Sequence, residues 1–447
     1  MLTLKNVKYW LFRLVVIFLP FGTGMFYTHI VDADVLYAFD IILFALYAIW
    51  IVERKSAARG GLIFNSFCTT SVLKIFWSTL SILPAISQLR GGIGVFILVK
   101  SFLIYFYFLN HIRDRRTLDM VVHWLMVGLC FQGVVGVLQY VSGKSLGLGF
   151  LGERQMSFHR TLSRVRGTLG YPNQFGAFIV MIIPVAFSLF VFTQRGMKKL
   201  FYGVTALFGL LALMLSFSRS AWAGLLIATA CFVFIMAKKR QMNIRLVIAS
   251  GVVLAAIGVL IIAFWDLILL RFETGSDPKY RIRMIEIALP MIEENPLLGV
   301  GLYNYEFHSM SQFRFWHPVH NDYLRLAAET GIPGFILFLG IIFFSLRQCV
   351  RMQANRDRFL FALALGSFCG MMALLVAISF GPEYQNYRVK MLYWVLAALM
   401  YAIPRVVAHT EAMKRLRDQK LQQQPQTLQR RGPATAGPSD QPARGRP

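Results

Sequence analysis

The sequence predicts an all-α, polytopic integral membrane protein with about twelve transmembrane helices. Three observations carry that expectation. Of 447 residues, 57% are hydrophobic and only 15% charged, where soluble domains run at ~45–50% and ~25%. The apolar residues fall in runs near the ~20 that cross the hydrocarbon as a helix. The runs lack barrel-type alternation, and lipid satisfies no backbone polar group, so each run reads as a helix.

The runs cover roughly 9–28, 35–53, 66–86, 92–110, 119–141, 173–193, 200–217, 220–237, 246–269, 332–346, 359–380 and 388–404. The first is long and has no small-residue cleavage site, so it is expected to stay as a span. The net charge of +25 would suit nucleic acid in a soluble chain. Here it concentrates in alternate connections: Arg54, Lys55 and Arg59; Arg113, Arg115 and Arg116; Arg195, Lys198 and Lys199; Lys238 to Arg245; and Arg347 to Arg358. The positive-inside rule makes these cytoplasmic and puts both termini inside. Membrane lipids are the expected surroundings, and no nucleic-acid partner is expected.

The chain then divides into a membrane domain, 1–404, and a basic cytoplasmic tail, 405–447. Residues 421–447 are rich in Gln, Pro, Arg, Gly and Ala and are expected to be disordered. Two large loops lie on the opposite face, 142–172 and 270–331, the second between spans 9 and 10. A loop as long as 270–331 is functional or disordered, and its aromatic residues, Pro296, Gly299 and Gly301 favour function. Cys68, Cys130, Cys231, Cys349 and Cys369 show no metal-ligand spacing and read as small buried hydrophobes. Lys74 and Lys100, inside apolar runs, read as snorkelling side chains or shifted span boundaries.

Four polar segments converge on the non-cytoplasmic face. They are Arg164-Val165-Arg166-Gly167-Thr168 through Pro172-Asn173; Ser216-Phe217-Ser218-Arg219-Ser220; Tyr280-Arg281-Ile282-Arg283 leading to Pro296-Leu297-Leu298-Gly299-Val300-Gly301; and His317-Pro318-Val319-His320-Asn321-Asp322-Tyr323-Leu324 with Glu329-Thr330-Gly331. Arginine on this face runs against the charge bias. Arg154, Arg160, Arg271 and Arg314 are read as snorkelling or paired. Arg219 sits in a turn too short to lift it from the membrane surface, which makes it a functional candidate. Several arginines together suit a phosphate or pyrophosphate.

A histidine with an ordinary pKa of ~6.5 suits general-base work. His320 is favoured over His317, whose backbone Pro318 restricts. Asp32-Ala33-Asp34 is either a metal-holding D-x-D or, by preference, a hydrated turn. No GxSxG, Walker A or HExxH segment occurs, and no metal or other cofactor is expected.

As an ordered set, these motifs resemble the O-antigen ligase/polymerase superfamily over about residues 160–335, and the twelve-span layout extends the likeness over most of the chain. The resemblance implies a bacterial inner-membrane glycosyltransferase with a periplasmic site. The ligase branch moves a glycan from undecaprenyl pyrophosphate to a sugar of lipid A–core, in lipopolysaccharide biosynthesis. The resemblance puts the family's histidine on His320 and its large-loop arginine on Arg281. Its other arginines fall on Arg219 and Arg164, with Arg166 and Arg283 close enough to exchange with their neighbours. His317, Asn321 and Tyr323 are supporting residues. Ile285 stands where many members have Trp, a difference of packing. O-antigen polymerases and protein O-oligosaccharyltransferases share the motifs. The rival from another class is a transporter of lipid-linked glycan, whose ionisable residues would lie in mid-span along a path.

Overall fold

The computed structural model describes residues 4–21, 24–28, 33–55, 61–155, 164–194, 196–239, 278–316 and 319–429, with scattered positions between 251 and 269. For residues 4–5, 24–34, 54–55, 278–280 and 420–429 only the backbone of the described positions is considered.

Among the described residues, eight helices are long and apolar enough to cross a membrane. The predicted spans 9–28, 35–53 and 66–86 fall on the shorter helices α1 (Leu4–Phe18), α2 (Ala38–Lys55) and α3 (Ser66–Leu80). The span predicted at 246–269 lies largely outside the described residues. α1 stops short of residue 28 because Pro20 cannot continue a helix. Beyond it the chain forms an antiparallel hairpin, β1 (Gly24–Thr28) and β2 (Ala33–Tyr37).

The eight are α4 (Gln88–His111), α5 (Arg115–Ser142), α6 (Pro172–Phe192), α7 (Gly196–Leu215), α8 (Arg219–Lys238), and three that follow two shorter helices. The shorter ones are α9 (Pro278–Glu294) and α10 (Tyr305–Phe313), followed by α11 (Asp322–Met352), α12 (Arg358–Ala377) and α13 (Tyr387–Gln429). The predicted loop 270–331 is therefore substantially helical. α11 begins ten residues before the span predicted at 332, capped by Asn321, whose Oδ1 accepts the Tyr323 and Leu324 amides at 2.9 and 3.1 Å. α13 runs through Pro404 to Gln429. Residues 411–420 are mostly good helix formers, and these carry the helix beyond the bilayer-length run.

α6 is the central helix. Its apolar window is 78% buried, against 33% for α8 on the flank. α12 packs on α6 and α8, α7 on α5 and α6, α13 on α4, and α11 on α3. Small residues permit these approaches, as they do wherever helices associate without a hydrophobic drive. A Cβ on Gly370 of α12 would stand 1.9 Å from the Met181 carbonyl oxygen of α6, and one on Gly224 of α8 would stand 2.5 Å from that of Ala373.

The basic connections gather at one end, where Arg115 meets Asp357 at 3.1 Å and the Lys239 ammonium donates to the Gln353 carbonyl at 2.9 Å. The starts of α6, α8, α11 and α13 lie at the other end with the polar motifs. Lys74 and Lys100 do not snorkel. They are 3% and 1% exposed, because each finds acceptors inside. Lys100 binds Asp40 and the Val35 carbonyl, both at 2.6 Å, and Tyr387 donates to the other Asp40 oxygen at 2.7 Å. The cysteines are free, three of them buried.

Candidate functional site

The site starts from the described part of loop 142–172, which hydrogen bonds tie to its surroundings. In 142–172, the Glu153 carboxylate accepts the amides of Leu146 and Leu148 at 2.8 and 2.7 Å and the Gln139 side-chain amide at 2.7 Å. Gln139 also accepts the Gly167 amide at 2.9 Å, and Gln132 donates to Thr168 Oγ1 at 2.6 Å. From α13, Arg388 donates to the Thr168 and Leu169 carbonyls at 2.6 and 2.8 Å. Glycine is required at 167, where φ is +53° and a Cβ would meet Gln132 and Phe175 at 2.4 Å. The backbone is thus satisfied from three directions, and Arg164 and Arg166 project from a fixed frame.

Arg164 joins the first two motifs. Its Nε donates to the Ser216 carbonyl at 2.9 Å and its Nη2 to Asn173 Oδ1 at 2.6 Å. Ser216 opens the tight turn into α8, in which Phe217 takes a φ of +48° and Arg219 becomes the first residue of the helix. Arg219 and Arg281, at the start of α9, lie within electrostatic reach of each other. Arg164 thus contacts the turn that leads into Arg219, and Arg219 senses the charge of Arg281. Arg166 makes long contacts to the Gln155 and Gly170 carbonyls at 3.4 and 3.5 Å, and among the described residues its buried Nε has no hydrogen-bond partner. Arg283 is separate. It is 55% exposed and pairs with Glu286 at 3.3 Å, one turn along the helix.

His320 is half-buried and directly precedes the cap of α11. Next in the helix, Asp322 is fully buried. Its amide donates to the Ile378 carbonyl at 2.9 Å, and its Oδ2 accepts the Tyr384 amide at 2.7 Å. This fastens the histidine segment to the 381–387 connection. There Glu383 is 3% exposed. Burial pushes its carboxyl up to about 8, Asp322 adds to the rise, and the Arg164 guanidinium opposes it. Glu383 thus lies within electrostatic reach of both Asp322 on the histidine helix and Arg164. Asn321 serves as the cap, and Tyr323 donates to the Leu375 carbonyl at 3.0 Å. Both hold the helix in place. His317 and Asp32 lie outside the described residues, as do Arg160 and Arg271. Of Asp34 only the backbone, in β2, is described. Arg154 donates to the Tyr171 hydroxyl at 3.0 Å, and Arg314 caps α10 in a left-handed conformation.

The sequence reading passed over the charged side chains behind the site. Arg325, 2% exposed, holds Asp322 at 2.6 Å and Glu329 at 3.0 Å. Asp322, Arg325 and Glu329 follow at spacings of three and four, one helix face. That face was legible only to a reader who began the helix at residue 322.

A family model described as O-antigen ligase matches residues 204–339. The match takes in Arg219, Arg281, Arg283 and the histidine segment, and leaves Arg164 and Arg166 to its N-terminal side. No curated protein matches the chain. Over its central third, then, this multi-pass membrane chain is similar to the O-antigen ligase family.

Proposed function

We propose that the chain is a glycosyltransferase of the bacterial inner membrane. It moves a glycan from undecaprenyl pyrophosphate to a sugar of lipid A–core on the periplasmic face. The observation that supports this reading is that Arg164 bonds to Ser216 in the turn before Arg219, while Arg219 lies within electrostatic reach of Arg281. Guanidinium groups drawn together in this way form a receptor for a dianionic or trianionic group such as pyrophosphate.

The donor's pyrophosphate is already a good leaving group. Arg281, with Arg219 and Arg164, stabilises the charge that develops on its departing oxygen. His320 takes the proton of the acceptor hydroxyl as that oxygen attacks the anomeric carbon. The new carbon–oxygen bond forms as the bond to pyrophosphate breaks, in one inverting displacement without a metal. The undecaprenyl chain lies between helices with its headgroup at the outer surface.

Lys74 and Lys100, buried along α3 and α4, are the two charges that lean towards a transporter, whereas Arg325 and Lys390 do not. Arg325 is the fourth residue of α11 and Lys390 the fourth of α13. At ~1.5 Å per residue this is about one turn from the helix ends, at the wall of a surface site.

The deciding experiment reconstitutes the purified protein with a defined lipid-linked donor and lipid A–core, with and without chelator. Chelator-resistant transfer to the core supports the reading. Growth of the lipid-linked glycan alone, with no core product, would make the chain a polymerase instead. Glycan translocation without a new glycosidic bond would sink the transferase reading altogether.

A further inference from the structure

We propose that a cavity walled by α3, α4, α11 and α13, behind the arginine group, is a binding site for one small inorganic anion of chloride size. The cavity holds about 30 Å³ and is lined by Lys74, Arg325, Lys390, Tyr303, Tyr384 and Trp394 among others. That is room for one or two water-sized particles. Three cationic side chains from three helices thus face one small space.

Their partners are unequally shared. Arg325 holds both nearby carboxylates. Its Nε and Nη2 donate to Asp322 Oδ1 at 3.0 and 2.6 Å, and its Nη1 donates to Glu329 Oε2 at 3.0 Å. The remaining Asp322 oxygen is taken by the Tyr384 amide at 2.7 Å. Lys74 is 3% exposed, and among the described residues its ammonium donates only to neutral acceptors, Thr330 Oγ1 at 2.8 Å and the Gly334 carbonyl at 2.9 Å. Lys390 is 7% exposed. Among the described residues its ammonium makes no hydrogen bond and no ion pair. It lies 5.4 Å from the Tyr384 ring centre and 5.9 Å from that of Tyr303.

An ammonium buried without an acceptor is costly, and a cation–π contact at such distances offsets only part of that cost. Among the described residues, Glu329 Oε1 is the carboxylate oxygen of this pair left without a hydrogen bond of good geometry, although the Tyr303 amide acts on that carboxylate. Among the described residues it forms no ion pair with either lysine, although its charge acts on both. A small anion between Lys390 and Lys74 gives both ammonium groups a counter-charge and gives Lys390 its missing acceptor. The site also braces the first two turns of α11, which lead directly from His320. It stands whether or not the chain is a transferase.

The test uses the full chain purified in detergent. Thermal unfolding is followed as chloride replaces gluconate at constant ionic strength. Binding to the folded state alone predicts a saturating rise in the unfolding midpoint of about 2–4 °C. Lys390→Gln is expected to abolish the rise. Should that variant not fold, bromide exchanged into the wild-type protein is expected to give an anomalous scattering peak in the cavity. A midpoint indifferent to chloride overturns the site, as does an unchanged response in Lys390→Gln. So does a cavity that holds water and no bromide.

Discussion

A Cβ on Gly331 would stand 2.1 Å from the carbonyl oxygen of Leu297. Gly331 interrupts α11 with φ 67° and ψ 178°, a region essentially restricted to glycine. The interruption frees backbone groups that the Asn295–Gly301 segment then satisfies. The Val300 amide donates to the Ala328 carbonyl at 2.8 Å and the Gly301 amide to that of Glu329 at 3.0 Å. The Ile332 amide donates to the Pro296 carbonyl at 2.8 Å. The glycines of the Pro-Leu-Leu-Gly-Val-Gly and Glu-Thr-Gly segments are thus two halves of one backbone lock between α9 and the histidine helix.

Gly331→Ala is therefore expected to destabilise the protein by more than about 3 kcal/mol, since it adds a clash to a disfavoured conformation. Gly92→Ala is the control, because a Cβ there meets nothing within 4 Å. It should leave the midpoint unchanged or slightly raised. Thermal unfolding in detergent reads both. Equal behaviour of the two variants would remove the lock.

The two arginines of Arg281-Ile282-Arg283 should separate cleanly. Arg283 spends its charge on an exposed pair with Glu286, and such pairs contribute ~0–1 kcal/mol. Arg283→Ala should keep near-normal transfer. Arg281→Lys should lose it, because a point charge does not reproduce a bidentate fork. Steady-state transfer rates check this. Full activity in Arg281→Lys would end its pyrophosphate role.

His320→Ala should lower turnover by about 10²–10⁴, the usual share of a positioned base. The protein should still insert and still bind lipid-linked donor, since the arginines remain. Donor binding measured beside turnover distinguishes lost chemistry from lost fold. Normal transfer by the variant would end the base assignment.

Hydropathy made the long buried helices legible, because α6 and α12 carry almost nothing but apolar residues. The motif arginines were legible as charges on the wrong face. Hydropathy could not say what a buried cation meets. Lys100 finds Asp40 sixty residues away, and Lys74 finds Thr330 from another helix, so both looked like errors of boundary. The start of α11 was hidden because Gly331-Ile332-Pro333-Gly334 reads as the end of a loop. Pro333 in fact sits just after the break, where a missing N–H costs little. Drawing the span at 332 put Asp322, Arg325 and Glu329 in a loop and concealed their shared face. Glu383 gave no signal at all, since nothing in a Gly-Pro-Glu-Tyr turn announces burial.

Glu383 supplies the pH dependence. Its carboxyl is pushed up to about 8 in the folded protein, against ~4.3 in an unfolded chain. Between those values the folded state binds the extra proton, so stability falls as pH rises. The favourable contribution is fully present below about 4, declines through pH 5–8, and levels off above the folded value. Glu383→Gln keeps the shape of the protonated carboxyl and removes the titration. Its unfolding midpoint should match wild type near pH 4 and exceed it at pH 8, with a flatter profile between. The opposite carboxylate behaviour, a wild-type midpoint that rises from pH 5 to 8 and a variant that loses that rise, would mean Glu383 is ionised and held by Arg164. In that case Glu383 would compete with the donor's pyrophosphate for the same guanidinium.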